Sequence, residues 1–329
     1  MVIEINNTAI KNYFIEVHKS NEGYIEFVNK LSEFDCFLNS LPTEINNAMM
    51  PIEEWQLLSM TNFDKAYEIV RNEANTNINF SWILSSFKLR QLFKSIIHLL
   101  NESHYYALVS LLRTFLEVVS YNAFMCDKIN ELVIQLNNST NNYFQYCELN
   151  TDLENLVKKS RKGTKITKLL EEGESFVENT NILTTLDKIS KKEKYKTLRD
   201  KYDLLSEIVH PNVMSNFIFG LPTKLNDPKE DKTFEKERII LMKGEMEQYY
   251  YEMPEPYSLQ ISMYFGTILS VLNLSIDLYY ETLDKFKQIN VLKLEAKLPY
   301  YDLLEKLDET KRKELCEQIL KSYRNSKKS

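Results

Sequence analysis

Glycine and proline are scarce in this sequence. Only 6 of the 329 residues are glycine and 8 are proline, whereas proteins rich in strands and tight turns need these residues at most of their turns. The shortage therefore favours long helices over a strand-rich fold. The sequence also contains no Gly-rich phosphate loop and no G-x-S-x-G nucleophile elbow. Their absence removes the sequence signatures of the P-loop nucleotide hydrolases and of the α/β-hydrolases.

Cysteine and histidine are also rare, with four of each. The cysteines are scattered, form no C-x-x-C pair and have no histidine at metal-ligand spacing, so we expect free thiols in a reducing cytosol. One hypothesis is a metal-binding site at Glu207 and His210, which have the E-x-x-H spacing of ferritin-like di-iron bundles. Those bundles use two such motifs, and this chain has one. The sequence therefore predicts neither a bound metal nor another cofactor.

The charge pattern and the termini indicate a cytoplasmic protein. The formal net charge is −6, which argues against a protein that coats nucleic acid over its whole surface. The N-terminal residues lack the basic region and apolar run of a signal peptide. One long apolar stretch, residues 105–126, carries Arg113 and Glu117 near its centre, and charges in mid-membrane are costly. We therefore expect no membrane span.

Helical periodicity dominates the chain and predicts an all-α fold. A short polar break at residues 101–103 separates two long apolar helices, which implies that they are antiparallel neighbours. We expect an antiparallel helical bundle with flanking helices. A small β-hairpin is predicted near residues 238–253, where β-branched and aromatic residues surround Gly244.

The same patterns predict three segments along the chain. Residues 1–75 form an N-terminal helical extension, residues 80–290 the core bundle, and residues 291–329 a C-terminal helix with a basic tail. The polar segment 72–79 is the expected joint between the first two.

Two polar stripes stand out, the first of them on an otherwise apolar helix. The first lies on the helix that contains residues 105–126, where polar side chains recur at offsets of 3, 4, 7, 10 and 11 and therefore share one face. They are Ser110, Arg113, Thr114, Glu117, Ser120 and Tyr121. The second stripe consists of Tyr202, Ser206 and His210, at offsets of 0, 4 and 8. If the stripes face each other, Arg113, Glu117, Tyr202, Ser206 and His210 converge.

His210 is the residue in this set best suited to proton transfer. Pro211 disfavours the helical conformation at His210, so the helix is expected to end there. The dipole at a helix C-terminus favours the protonated imidazole, which can act as a general acid near neutral pH. Asn212 adds a donor and an acceptor in the following turn.

Residues 158–201 form the only sizeable basic region, with 13 Lys or Arg against 7 Asp or Glu. Two interpretations remain open. The run is either a solvated helix face followed by a loop, or a surface that binds phosphate groups through residues such as Lys162 and Lys165.

The two stripes carry a resemblance to known proteins. L-L-R-T-F-L-E around Arg113, followed by Y-D-L-L-S-E-I-V-H-P-N around His210, resembles a group of uncharacterised bacterial all-helical proteins with R-x-x-x-E and S-x-x-x-H-P motifs. That group is similar in turn to the HEPN superfamily, whose four-helix bundles include metal-independent RNases of toxin and phage-defence systems. The resemblance covers about residues 80–285. The HEPN nuclease motif places Arg and His four to six residues apart on one helix, whereas here the arginine would come from Arg113 on another helix.

The resemblance implies an RNA-cleaving or RNA-binding effector. In such an endoribonuclease a ribose 2′-hydroxyl attacks the adjacent phosphate, His210 moves a proton, and Arg113 stabilises the phosphate charge while Glu117 orients its partners. Substrate would be positioned by Tyr202, Ser206, Asn212, Lys162 and Lys165. The expected partners are RNA and either a second copy of the chain, giving a homodimer, or another protein. The alternative is a non-catalytic helical interaction or scaffold protein in which the Arg–Glu–His cluster is structural.

Overall fold

The computed structural model describes residue 5 and residues 8–16, 19–42, 44, 52–102, 104–164, 177–178, 180–210, 220–224, 237–241, 257–297 and 301–326. The fold is all-α, as predicted. The helices are α1 (Thr8–Glu16), α2 (Asn21–Ser40), α3 (Ile52–Thr61), α4 (Phe63–Asn101), α5 (Tyr105–Asn138), α6 (Tyr143–Lys162), α7 (Ile182–Ile189), α8 (Leu198–Val209), α9 (Tyr257–Gln288), α10 (Tyr301–Glu305) and α11 (Glu309–Ser326).

Two short β-pairs accompany the helices. Strand β1 (Gly163–Thr164) pairs in parallel with β2 (Val177–Glu178). Strand β3 (Gly220–Lys224) pairs in antiparallel with β4 (Glu237–Leu241). The region 238–253, predicted to form a hairpin, therefore contributes residues 238–241 to β4, but the partner strand lies upstream, at 220–224. Residues 242–253 lie outside the described residues.

The described chain forms two compact units that alternate along the sequence. Unit 1 comprises Met1–Leu41, Ser85–Phe124 and Asn181–Thr282, and unit 2 comprises Pro42–Leu84, Met125–Thr180 and Leu283–Ser329. The long helices α4, α5 and α9 each contribute residues to both units. The polar segment 72–79, expected to be a joint, lies inside α4, which continues without a break.

Aromatic side chains form the core of unit 1. Phe34 of α2 is fully buried, and its ring packs edge-to-face against Phe93 of α4 at 4.9 Å and against Tyr279 of α9 at 5.2 Å between centroids. Edge-to-face pairs of this kind add to the stabilisation that burial provides. Close backbone packing occurs at Gly266 of α9, where an added Cβ would lie 2.6 Å from the Tyr13 hydroxyl oxygen.

Unit 2 has its own aromatic core. Phe63, at the start of α4, is buried against Tyr67 at 4.7 Å and Tyr301 at 5.4 Å between ring centroids. Trp82 of α4 packs on Phe286 of α9 at 4.9 Å. The C-terminal helices α10 and α11 contact α3.

Helix α5 is also the helix whose composition bears on membrane insertion. Among the described residues it is the one helix long and apolar enough to cross a membrane. Its most apolar window has a mean hydropathy of 1.2, and 56% of that window is buried inside the protein. Core helices of water-soluble proteins have the same character.

Candidate functional site

The two predicted polar stripes lie on α5 and α8, which contact each other in unit 1. The buried face of α8 consists of Leu198, Tyr202, Leu205 and Ile208. The contacts run in opposite directions along the two helices. Near the start of α5, the Tyr106 hydroxyl donates to the carbonyl of Val209 at 3.0 Å, whereas two turns later Arg113 contacts Tyr202. The helices are therefore antiparallel, and this register determines which polar side chains meet.

Three of the predicted residues form a closed set of contacts, here called the Arg113 cluster: Arg113, Glu117 and Tyr202. The Tyr202 hydroxyl accepts a hydrogen bond from Arg113 Nη2 at 2.9 Å and donates one to Glu117 Oε1 at 2.8 Å. Arg113 Nε lies 3.4 Å from the same carboxylate oxygen. The guanidinium carbon also lies 5.1 Å from the centroid of the Tyr202 ring, within the range of a cation–π interaction.

The Arg113 cluster is partly buried. Tyr202 is 3% exposed, and the Arg113 and Glu117 side chains are 27% and 31% exposed. Burial is the largest cause that raises the pKa of Tyr202, and the hydrogen bond to Glu117 adds to it while the bond from Arg113 opposes it. The hydroxyl therefore stays protonated near neutral pH and remains the donor to Glu117.

The charges of the Arg113 cluster cancel. One guanidinium and one carboxylate share a single phenol, so the cluster has no net charge with which to attract a phosphate group. Arg113 Nε is buried and makes no hydrogen bond of good geometry. The cluster connects α5 to α8 through the Tyr202 hydroxyl, with the Glu117 carboxylate beside the guanidinium.

Ser206 and His210 are not part of this hydrogen-bonded set. The Ser206 hydroxyl donates to the backbone carbonyl of Tyr202 at 2.8 Å, which satisfies it within its own helix. His210 is exposed and caps the end of α8, where its backbone N–H donates to the Ser206 carbonyl. Eight residues separate Tyr202 from His210, which corresponds to about 12 Å along a helix. The imidazole therefore lies at the end of α8 that contacts Tyr106.

The remaining predicted substrate-binding residues lie elsewhere in the chain. Lys162 is the last residue of α6 and belongs to unit 2, and its side chain is outside the described part of the structure. Lys165 and Asn212 also fall outside the described residues.

One contact residue was missed in the sequence. Tyr106 is half-exposed, and its hydroxyl links α5 to the end of α8. The signal was available, because Tyr106 lies seven residues before Arg113 and therefore on the same helical face. Elsewhere on that stripe, the hydroxyls of Ser110 and Thr114 donate to carbonyls four residues upstream.

Within the ranges that the structure describes, no group of three or more His, Cys, Asp or Glu side chains is arranged to hold a metal ion. Comparison of this chain with protein-family models, with curated proteins and with solved structures finds no match.

Proposed function

We propose that this chain is a non-catalytic helical interaction protein in which the Arg113 cluster is structural. The observation that carries the proposal is the shared hydroxyl of Tyr202, which accepts from Arg113 and donates to Glu117. A phosphate-binding arginine needs guanidinium N–H groups that are free to meet the ligand. Here one Nη2 N–H donates to the Tyr202 hydroxyl, and the charge of the guanidinium is paired with Glu117. The cluster instead ties α5 to α8.

Such a clamp between helices specifies their register as well as stabilising the fold. A partly buried ion pair is close to neutral relative to apolar replacements, but removal of one partner leaves the other desolvated and is costly. The Arg113 cluster therefore holds α5 and α8 in one register and disfavours slipped alternatives. A rigid helical surface of this kind suits a protein that acts by binding other molecules.

A second function, an RNA-cleaving or RNA-binding HEPN-like effector of a toxin or phage-defence system, is favoured by one observation. His210 is exposed at the end of α8, in a position accessible to a substrate. In this reading His210 moves the proton, and Arg113, about a quarter exposed, turns from Tyr202 to the phosphate. A homodimer or another partner protein is compatible with both functions.

One pair of variants separates the two functions. Arg113→Ala and His210→Ala are compared with the wild type for melting temperature, for cleavage of single-stranded RNA and for growth inhibition on expression. Matched controls are Arg199→Ala, which removes an arginine of nearly the same exposed fraction, 28%, from α8, and His104→Ala, which removes another exposed histidine.

If the chain is a non-catalytic interaction protein, Arg113→Ala should melt well below the wild type and His210→Ala should melt at the same temperature as His104→Ala. RNA cleavage should be the same for every variant and the wild type. RNA cleavage by the wild type that His210→Ala abolishes without loss of stability would replace this proposal with the RNase.

A further inference from the structure

The connection between α9 and α10 is held in a way that differs from an ordinary loop. Residues 289–297, here called the strap, have no regular secondary structure. Most of the polar contacts to the strap are made to its backbone. They come from α4, α5, α6 and the turn between α5 and α6, a set of elements here called the strap cleft.

Two asparagines contact the strap as a neighbouring strand would. Asn75 of α4 accepts from the Val291 N–H at 2.9 Å and donates to the Val291 carbonyl at 3.4 Å. Asn137 of α5 accepts from the Leu292 N–H at 2.8 Å and donates to the Asn290 carbonyl at 2.9 Å. Successive N–H groups of an extended chain point to opposite sides, so the two asparagines form hydrogen bonds to opposite edges of the strap.

Further backbone groups of the strap are satisfied downstream. The Tyr146 hydroxyl donates to the Leu292 carbonyl at 2.7 Å. The Thr140 carbonyl accepts from the N–H groups of Glu295 and Ala296, at 2.8 and 2.9 Å. Burial raises the pKa of Tyr146 to about 12, so this donor is retained over the physiological range. The strap cleft thus recognises polypeptide backbone along nearly the whole strap.

Side-chain recognition in the strap cleft is confined to a few positions. Val291 and Leu294 are buried, whereas Leu292 between them is 47% exposed. Lys293 makes an ion pair with Asp64 of α4 at 2.8 Å. The Asn75 amide also donates to the Asn290 side-chain oxygen at 3.2 Å. The recognised pattern is therefore an asparagine, an aliphatic residue, any residue, a basic residue and a second aliphatic residue.

We propose that the strap cleft is a binding site for an extended peptide of a partner protein with this pattern, and that the strap is its resident intramolecular ligand. Main-chain hydrogen bonds supply affinity and pockets for a few side chains supply specificity, as in other sites that bind extended peptides. Because five of the backbone groups are satisfied by the side chains of Asn75, Asn137 and Tyr146, another segment with two suitable aliphatic residues satisfies the same groups. A tethered ligand has an effective concentration of about millimolar, so the strap keeps the cleft closed to weak competitors.

This inference does not rest on the function proposed above. Asn75, Asn137, Thr140 and Tyr146 all belong to unit 2, whereas the Arg113 cluster belongs to unit 1. The strap cleft remains a peptide site whether the Arg113 cluster is a clamp or part of an RNase.

The test uses the full chain, with substitutions that release the strap from the strap cleft. In the double variant Val291→Asp/Leu294→Asp, both buried anchors become charged and leave the strap cleft. The probe is a fluorescent peptide with the sequence of residues 288–297, QINVLKLEAK, and binding is measured by fluorescence polarisation. The matched control peptide carries the same two aspartates in place of its valine and second leucine.

We expect the double variant to bind the probe at least about tenfold more tightly than the wild type does, because the tethered competitor is removed. The control peptide should bind to neither chain. Adding Asn137→Ala to the double variant should weaken binding of the probe about fivefold or more, by loss of two backbone hydrogen bonds. A folded double variant, verified by circular dichroism, that does not bind the probe overturns the proposal.

Hydrogen exchange on the wild type decides the question if the double variant does not fold. Excess acetylated probe should accelerate deuterium uptake by the Val291 and Leu292 amides without changing uptake in α5, since the probe displaces the strap. Uptake unchanged by excess probe overturns the proposal. A second outcome also overturns the proposal. If neither chain binds the probe but the wild type forms a complex with the double variant, the occupant of the strap cleft is a second copy of the chain and not a partner peptide.

Discussion

In the Arg113 cluster three side chains bond to one another, whereas in the strap cleft the side chains of Asn75, Asn137 and Tyr146 bond to a backbone. The first assembly joins opposite charges through a phenol, and its partners are fixed by residue type. The second uses neutral groups that any non-proline segment can engage. A side-chain cluster therefore specifies one register between helices, and a backbone-reading cleft permits exchange of its occupant.

Arg113→Ala should give the largest effect, lowering the free energy of unfolding by about 2–3 kcal/mol. It leaves Glu117 and the Tyr202 hydroxyl partly buried with one partner fewer, and hydrogen bonds to charged groups are among the stronger ones. Chemical denaturation with urea measures the change. Arg199 is as exposed as Arg113, but its two carboxylate partners, Asp187 and Asp203, are more than half exposed, so Arg199→Ala should cost less than about 1 kcal/mol. Equal losses in the two variants would remove the distinction between the cluster and an ordinary surface pair.

Asn137→Ala should lower the free energy of unfolding by about 1–2 kcal/mol. It removes two hydrogen bonds, to the Leu292 N–H and the Asn290 carbonyl, and each hydrogen bond contributes about 0.5–1.5 kcal/mol net. The control is Asn39→Ala, since the Asn39 amide makes one bond, to Asp35 of its own helix. Urea denaturation of both variants gives the comparison, and a loss no greater than that of Asn39→Ala would show that the strap is loosely held.

Two tyrosines allow the assemblies to be compared by the same chemical change. Tyr202→Phe deletes a hydroxyl that serves two charged side chains, and Tyr146→Phe deletes one that serves a single carbonyl. We expect losses of about 1.5 and about 1 kcal/mol respectively, measured by thermal unfolding at a common pH. A larger loss for Tyr146→Phe would contradict the ranking of the charged cluster above the neutral cleft.

Replacement of Glu154 of α6 should have the smallest effect on stability, and that effect should depend on pH. Burial is the main cause that raises the pKa of its carboxyl, and the charge of Glu73 adds to it. A carboxyl with a raised folded-state pKa contributes stability that is present at low pH and is lost as the pH rises through that pKa. Glu154→Gln should therefore stabilise the protein slightly at pH 7. Much of the residue's surface is in contact with water, so the carboxyl is only partly desolvated and the gain is well under about 1 kcal/mol.

The pH profile of stability provides the check on Glu154. The difference between Glu154→Gln and the wild type should vanish as the pH falls below the pKa of an ordinary glutamate. A variant less stable than the wild type at pH 7 would show that the Asn150 hydrogen bond to Glu154 outweighs the cost of the charge.

The helical period was sufficient to predict which residues of a single helix share a face. It placed Arg113 and Glu117 on one stripe and Tyr202 on the opposing helix, and these three side chains do meet. It did not predict that His210 lies outside the cluster, because the register of α8 along α5 depends on contacts between the two helices and not on the local sequence of either. Periodicity specifies faces and leaves sliding along the helix axis undetermined.

The strap cleft was not predictable from the sequence. Asparagine is a turn-forming residue, so the segment 72–79 suggested a joint, whereas Asn75 and Asn137 lie in long helices and bond to a backbone more than 150 residues away. Side-chain-to-backbone bonds also leave no mark on the sequence of the strap, since every non-proline residue offers the same N–H and carbonyl. Such contacts become visible only when the fold brings the segments together.

The central claim, that the Arg113 cluster is a structural clamp, is tested most directly by a double-mutant cycle. The free energies of unfolding of Arg113→Ala, Tyr202→Phe and the combined variant are compared with that of the wild type. A clamp predicts a coupling energy of about 1–2 kcal/mol between the two residues. Coupling below about 0.5 kcal/mol, within the range of independent sites, would contradict the claim.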